Sequence, residues 1–291
     1  MTVDHDRLFK EVLTTYLEEF IQLFFPEVHE AVDFSNLQFL AEEVFSDVTQ
    51  GEKYRVDILA KTSLKDEETI IIIHTEPQSY PQPDFNERMF LYYGRLYEKY
   101  RCNILPIALF TYDQYRKEPD HFSIAFPFHD VLHFQFLIIQ LKQQNWRNFI
   151  RSDNPLAAAL LSKMGYNEKE KVQVKKEFLR MMAHMKIDPA RSNLLTGFFE
   201  TYLTLTSSEE KKLREEVKRM DGREGEKVRE FIVSYEKKGM EKGIEQGMKQ
   251  GKEKTKIEIA EAMLKKDMDI ETISEVTGLS TEEVLQLNRL S

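Results

Sequence analysis

Residues 54–78 hold two runs of strand-forming residues, Tyr54-Arg55-Val56-Asp57-Ile58-Leu59-Ala60-Lys61 and Thr69-Ile70-Ile71-Ile72-Ile73-His74-Thr75-Glu76-Pro77-Gln78, separated by a short charged turn at 65–68. Two such runs flanking a polar turn predict a β-hairpin, which commits the chain to a sheet around it. Asp57 lies within the first run, and Glu76 and Gln78 close the second. Strand side chains alternate with period two, so Glu76 and Gln78 share a face. A register that brings Asp57 to that face gathers two carboxylates and an amide at one spot. Pro77 lacks an N–H but keeps a carbonyl, and it is tolerated at a strand end. Asp57, Glu76 and the Pro77 carbonyl are oxygen donors of the kind that hold Mg²⁺ or Mn²⁺. Such a cation polarises a phosphoryl oxygen and acidifies a bound water, the chemistry of phosphodiester hydrolysis.

The flanking sequence supplies an α/β frame. Leu8, Phe9, Val12, Leu13, Tyr16, Phe20, Leu23 and Phe24 recur at helical spacing, predicting one helix over 6–25, capped by Asp6 and stopped by Pro26. Its opening motif, His5-Asp6-Arg7-Leu8-Phe9-Lys10, reads either as a plain capped amphipathic start or as a means of bringing Asp6 or Lys10 to the Asp57 and Glu76 cluster. A strand is predicted over 37–45, then the hairpin. A helix over 84–100 follows, with a stripe of Phe85, Met89, Tyr92, Leu96 and Tyr100, then strands over 104–112 and 122–128. Helix, three strands, helix and two strands make a mixed sheet. From about Phe134 the pattern becomes helical, with segments over 156–164, 168–185 and 189–205.

Residues 208–256 are rich in Glu and Lys, with Gly239, Gly243, Gly247 and Gly251 four apart. Each interior glycine costs a helix about 1 kcal/mol relative to alanine, yet this spacing leaves a small-residue face that a second helix can approach. A helix pairing two copies into a homodimer and a partly frayed linker both fit. Residues 257–291 have a helix-turn-helix rhythm, with Ser280 and Glu283 forming a capping box. Residues 267–291 carry six acids against Arg289 alone, so a recognition helix bearing Glu282 and Glu283 would meet phosphate repulsion; packing against protein is the reading the charges favour. The resulting divisions are 1–150, 151–207, 208–256 and 257–291.

The net charge of −9 is uneven: residues 1–150 hold 14 Lys and Arg against 24 Asp and Glu, whereas residues 163–191 hold eight against four. A polyanion would be met by such local patches. A single cysteine, Cys102, excludes an intramolecular disulfide. No apolar run reaches the ~20 residues that span a bilayer, and the N-terminus lacks signal-peptide features, which points to a cytoplasmic protein without a membrane partner. His129 and His133 stand four apart in the aromatic run 126–136 and suggest a zinc clamp, but no third ligand accompanies them, and a structural role is favoured. No phosphate-binding glycine loop is present.

Four blocks, His5-Asp6-Arg7-Leu8-Phe9-Lys10, Tyr54 to Lys61, His74-Thr75-Glu76-Pro77-Gln78-Ser79 and Glu87-Arg88-Met89-Phe90-Leu91-Tyr92, occur in the order found in the Rpn family of recombination-promoting nucleases, whose members are often labelled transposases. The chain resembles that family, and Asp57 with Glu76-Pro77-Gln78 resembles the PD-(D/E)XK nuclease signature with glutamine in place of lysine. The resemblance implies a restriction-endonuclease-like mixed-sheet core followed by an all-helical C-terminal region. It further implies metal-dependent DNA cleavage in recombination or defence against foreign DNA. Asp57 and Glu76 would then be metal ligands, Gln78 would orient the attacking water or the phosphate, and Asp6 and Lys10 would support the site. Gln78 cannot supply the positive charge of the missing lysine, a charge that Lys10 or a second ion would have to bring. The rival reading is a degenerate nuclease fold kept as a protein-interaction or dimerisation platform.

Overall fold

The computed structural model describes residues 5–40, 58–64, 67–76, 84–113, 115, 117–266 and 268–290. Contacts divide the chain into two compact units, Met1–Arg229 and Glu230–Ser291.

Where one N-terminal helix is expected, three follow one another: α1 (His5–Thr15), α2 (Leu17–Phe24) and α3 (Pro26–Ala31). The break falls at Tyr16, whose backbone leaves the helical region (φ −127°, ψ 37°). The apolar stripe runs through it, because Phe9, Val12, Leu13, Tyr16, Leu17, Phe20 and Ile21 are all buried. Asp6, expected as the cap, falls inside α1. Pro26 opens α3 instead of merely ending a helix; at a first helical position its missing N–H leaves no hydrogen bond unmade.

The first strand, β1 (Val32–Phe39), starts five residues before the expected 37–45, of which 41–45 lie outside the described residues. β2 (Ile58–Leu64) and β3 (Glu67–Glu76) form the expected antiparallel hairpin, in register from Ile58 opposite Ile73 to Leu64 opposite Glu67. The crossover helix α4 (Phe85–Tyr100) buries Phe85, Met89, Tyr92 and Leu96 of its predicted stripe and ends at Arg101 in the left-handed region (φ 52°). It delivers β4 (Asn103–Phe110), which lies parallel to β3 as a crossover connection allows. Next come β5 (His121–Phe126) and β6 (His129–Gln135), an antiparallel ribbon outside the main sheet, and then β7 (Leu137–Gln140), parallel to β4. The five-stranded sheet has the order β1-β2-β3-β4-β7 and is mixed, as expected. Strands β6 and β7 correct the expectation of helix from Phe134. Four residues of β7 are too few to show a period, and both strands owe their state to tertiary pairing.

Helices α5 (Pro155–Leu160), α6 (Lys171–His184), α7 (Pro189–Tyr202) and α8 (Ser207–Lys218) complete the first unit. Side chains of Asn154, Asp188 and Thr206 cap α5, α7 and α8 by accepting from backbone N–H groups. α5 is buried from Leu156 to Leu160, and α7 packs on both α1 and α5, with Phe199 stacked on Phe178 at 3.9 Å. α9 (Gly222–Leu264) runs as one helix through all four spaced glycines. In the second unit α10 (Ile270–Thr277) turns at Gly278 (φ 68°) into α11 (Thr281–Leu290), around buried Ala260, Ile273, Leu279 and Val284. The expected capping box is present: Ser280 N–H donates to Glu283 Oε2 at 2.8 Å, and Glu283 N–H to Ser280 Oγ at 3.3 Å. No helix among the described residues is long and apolar enough to cross a membrane.

Candidate functional site

Glu76 is the last residue of β3, and its ladder partner, Phe110, is the last of β4. Two parallel strands therefore end together, and in open α/β sheets the carboxyl ends of strands are where ligands bind. Phe110 belongs to a buried cluster with Phe85, Met89 and Ala108 beneath α4. Asp57, Pro77 and Gln78 lie outside the described residues, so the hairpin register is seen only as far as Ile58 opposite Ile73. Asp6 and Lys10 stand four apart on α1, which packs against β3. The fold thus brings the element carrying Asp6 and Lys10 to the strand carrying Glu76.

The histidine pair does not form a clamp. His129 and His133 lie on β6, where four residues span about 13 Å instead of one helical turn. His133 Nδ1 sits 2.9 Å from Ser123 Oγ, and its ring packs 5.3 Å from that of His121. No group of three or more His, Cys, Asp or Glu among the described residues could hold a metal ion. Cys102 packs against the Leu59, Tyr92 and Leu96 cluster, a structural position.

A polar cluster that sequence reasoning did not find lies beyond the end of β4. Lys163 is only 4% exposed, and its Nζ donates to Asp113 Oδ1 at 2.9 Å. The same ammonium stands 5.1 Å from the centroid of Tyr202, whose Oη is 3.1 Å from His5 Nδ1. Burial pulls the Lys163 pKa below the usual lysine value, against the opposing pull of Asp113. Phe9 reinforces the tie with an edge-on contact to Phe198 at 4.8 Å. The start of α1, the end of α7 and the segment after β4 are joined in this way. The one signal in the sequence was Lys163 standing two residues after the apolar run Leu156–Leu161, which places a lysine at the edge of a core.

Residues 253–289 match the family model described as Rpn/YhgA-like nuclease family, C-terminal HTH domain. The matched segment takes in α10, the Gly278 turn and almost all of α11. No curated protein and no solved structure gives a match.

Proposed function

We propose that this chain, whose residues 253–289 match the C-terminal HTH domain of the Rpn/YhgA-like nuclease family, is a metal-dependent DNA endonuclease of that family with its site at the carboxyl end of β3. The family match carries the reading, because it lies at the opposite end of the chain from the hairpin and is independent of the motif there. The fold is compatible with it: antiparallel β1, β2 and β3, the crossover helix α4 and parallel β4 make the mixed sheet that a restriction-endonuclease-like reading expects.

In this reading Asp57, Glu76 and the Pro77 carbonyl hold Mg²⁺ or Mn²⁺, for which an all-oxygen donor set is suited. The reading requires that the β2–β3 ladder keep its register for one more pair, since Asp57 then shares the face of Glu76 by period two. When bound, the ion polarises a phosphoryl oxygen and acidifies a water. Gln78 orients the attacking water or the scissile phosphate by hydrogen bonding, and Lys10 supplies the positive charge that Gln78 lacks. Asp6 supports the site from α1. Purified protein should nick and linearise plasmid DNA with Mg²⁺ or Mn²⁺, and Asp57→Ala and Glu76→Ala should lose at least a hundredfold in rate. Equal cleavage by wild type and both variants would refute the assignment.

Gln78 at the usual lysine position favours one rival, a nuclease fold retained as an interaction platform. The two readings part on metal binding: a working site gives a rise in melting temperature with Mn²⁺ that Glu76→Ala abolishes, whereas a platform gives none. Homodimerisation through α9 and the C-terminal helices belongs to the proposal and is read by light scattering.

A further inference from the structure

The ribbon of β5 and β6 is anchored at one end and bare at the other. At its base Phe122 stacks on Phe90 of α4 at 5.5 Å, and Phe134 packs against Phe90 at 5.6 Å and Tyr93 at 5.1 Å. Four residues further along β5, about 13 Å, the turn 127–128 carries the chain into β6. There Phe126 and Phe128 stack on each other at 5.8 Å with planes 21° apart, yet Phe126 is 55% and Phe128 86% exposed. Ile124 and Val131 beside them are also exposed. The ladder steps from Ile124 opposite Leu132 to Ala125 opposite Asp130, so Val131 is an extra residue that adds twist near the tip.

Two exposed phenyl rings stacked on each other at the end of a ribbon anchored at its base present a flat apolar face. Four apolar side chains of this size expose on the order of 400 Å², about half of what each partner contributes to a stable protein–protein interface. The patch is therefore too small to hold a second copy alone and is of a size to meet one or two nucleobases. Residues 121–135 carry no lysine or arginine and a single acid, Asp130, so the ribbon would meet DNA through its rings and not through phosphate pairing. Pro127 and the phenylalanines are also the residue types that other proteins wedge into base steps.

We propose that the tip of the β5–β6 ribbon stacks Phe126 and Phe128 against nucleobases of the DNA substrate, gripping the strand away from the scissile phosphate. This rests on the nuclease reading for its partner. The contact tolerates sequence, because every base offers a π-face, and it helps to hold or kink the duplex.

The test uses the full chain without metal and DNA carrying 5-iodouracil, irradiated and mapped by mass spectrometry. Cross-links on Phe126 or Phe128 are expected, and the Phe126→Ala/Phe128→Ala variant should lose them and bind about tenfold more weakly. Both rings are exposed, so the variant should keep the wild-type melting temperature. Cross-links confined to other residues with unchanged affinity would overturn the proposal. So would a variant that turns from dimer to monomer while still binding DNA, which would assign the patch to a second copy. A wild type that cross-links through the ribbon but does not cut when Mg²⁺ is added keeps this contact and removes the nuclease. One that cuts with no ribbon cross-link does the reverse, and a chain that binds no DNA overturns both.

Discussion

Removing the two partners of the Lys163–Asp113 pair one at a time should have unequal costs. Lys163 is 4% exposed, whereas the Asp113 side chain is 69% exposed. Asp113→Asn leaves a buried ammonium facing a neutral amide. Breaking a buried pair in this sense costs about 3–5 kcal/mol, which solvent at the exposed partner reduces to about 2. Lys163→Met keeps the buried stem and strands only a carboxylate that water solvates, so it should fall within about 1 kcal/mol of wild type. Lys163→Ala deletes about three buried methylenes at roughly 0.8 kcal/mol each and should cost about 2–3 kcal/mol. For a unit of this size 1 kcal/mol moves the melting temperature by about 2–4 °C. Thermal unfolding should therefore place Asp113→Asn about 4–8 °C below wild type, with Lys163→Met close to it. The pH dependence gives a second check. Burial lowers the Lys163 pKa below its usual 10.5, so between the folded and unfolded values the unfolded chain holds a proton that the folded chain lacks. In that window stability rises with pH. Wild type should gain on Lys163→Met as pH climbs toward 10.5. A Met variant as unstable as the Asn variant, or a wild-type advantage that shrinks with rising pH, would refute the reasoning.

Tyr16→Phe should raise stability by about 1 kcal/mol in denaturant unfolding, because the Tyr16 hydroxyl is buried without a hydrogen-bond partner among the described residues. Gly278→Ala should destabilise the second unit by about 1 kcal/mol, seen as faster amide exchange in α10 and α11; an added Cβ would meet only the Lys256 Nζ at an ordinary 3.9 Å, and the cost is the left-handed backbone (φ 68°). The same helices should loosen in acid. Hydrogen bonds from the Thr272 side chain and backbone lower the pKa of Asp269, and those from the Ser280 backbone and side chain lower that of Glu283. Their contribution is complete above the usual carboxylate values and is lost as pH falls through the lowered ones. Asp269→Asn combined with Glu283→Gln should flatten that acid limb in a circular dichroism titration.

The parts of the fold legible in the sequence are those set by local pattern. The hairpin, α4 with its stripe of Phe85, Met89, Tyr92 and Leu96, and the Ser280–Glu283 box each depend on neighbours within a few residues. What was missed is non-local. β7 is a strand because β4 lies beside it, and the break at Tyr16 leaves the apolar stripe intact, so no change of pattern marks it. Lys163, Asp113, Tyr202 and His5 are separated by 39 to 197 positions, and no spacing rule joins them. Of the candidate site, the sequence supplied the chemistry of Asp57, Glu76 and Gln78, and the fold adds that Glu76 ends beside Phe110 on parallel strands.

Charge decides how such a chain meets DNA, and here the fold alters what composition suggested. The basic stretch 163–191 looks like a phosphate patch, but most of its cations are paired within the protein: Lys163 with Asp113, Lys171 with Glu168, Lys175 with Glu200 and Glu210, Lys176 with Glu216, Arg180 with Glu177 and Glu224, and Arg191 with Asp188. Lys175 shows the strength of this pairing: burial opposes its charge, yet Glu210 and Glu200 prevail and raise its pKa. Only Lys169 and Lys186 of that stretch make no ion pair among the described residues. Few phosphate contacts mean little counterion release. With about two to three contacts, the slope of log affinity against log salt should be about −2 to −3. α11 begins with Glu282 and Glu283 in its first turn and repels phosphate, so a chain ending at Arg229 should keep that slope within about one. A slope steeper than about −5, or one that collapses on truncation, would show that phosphates and the C-terminal helices dominate binding. A shallow slope that survives truncation leaves the proposed base contacts and the proposed metal site to supply the affinity, which is the condition under which an acidic chain can act on a polyanion.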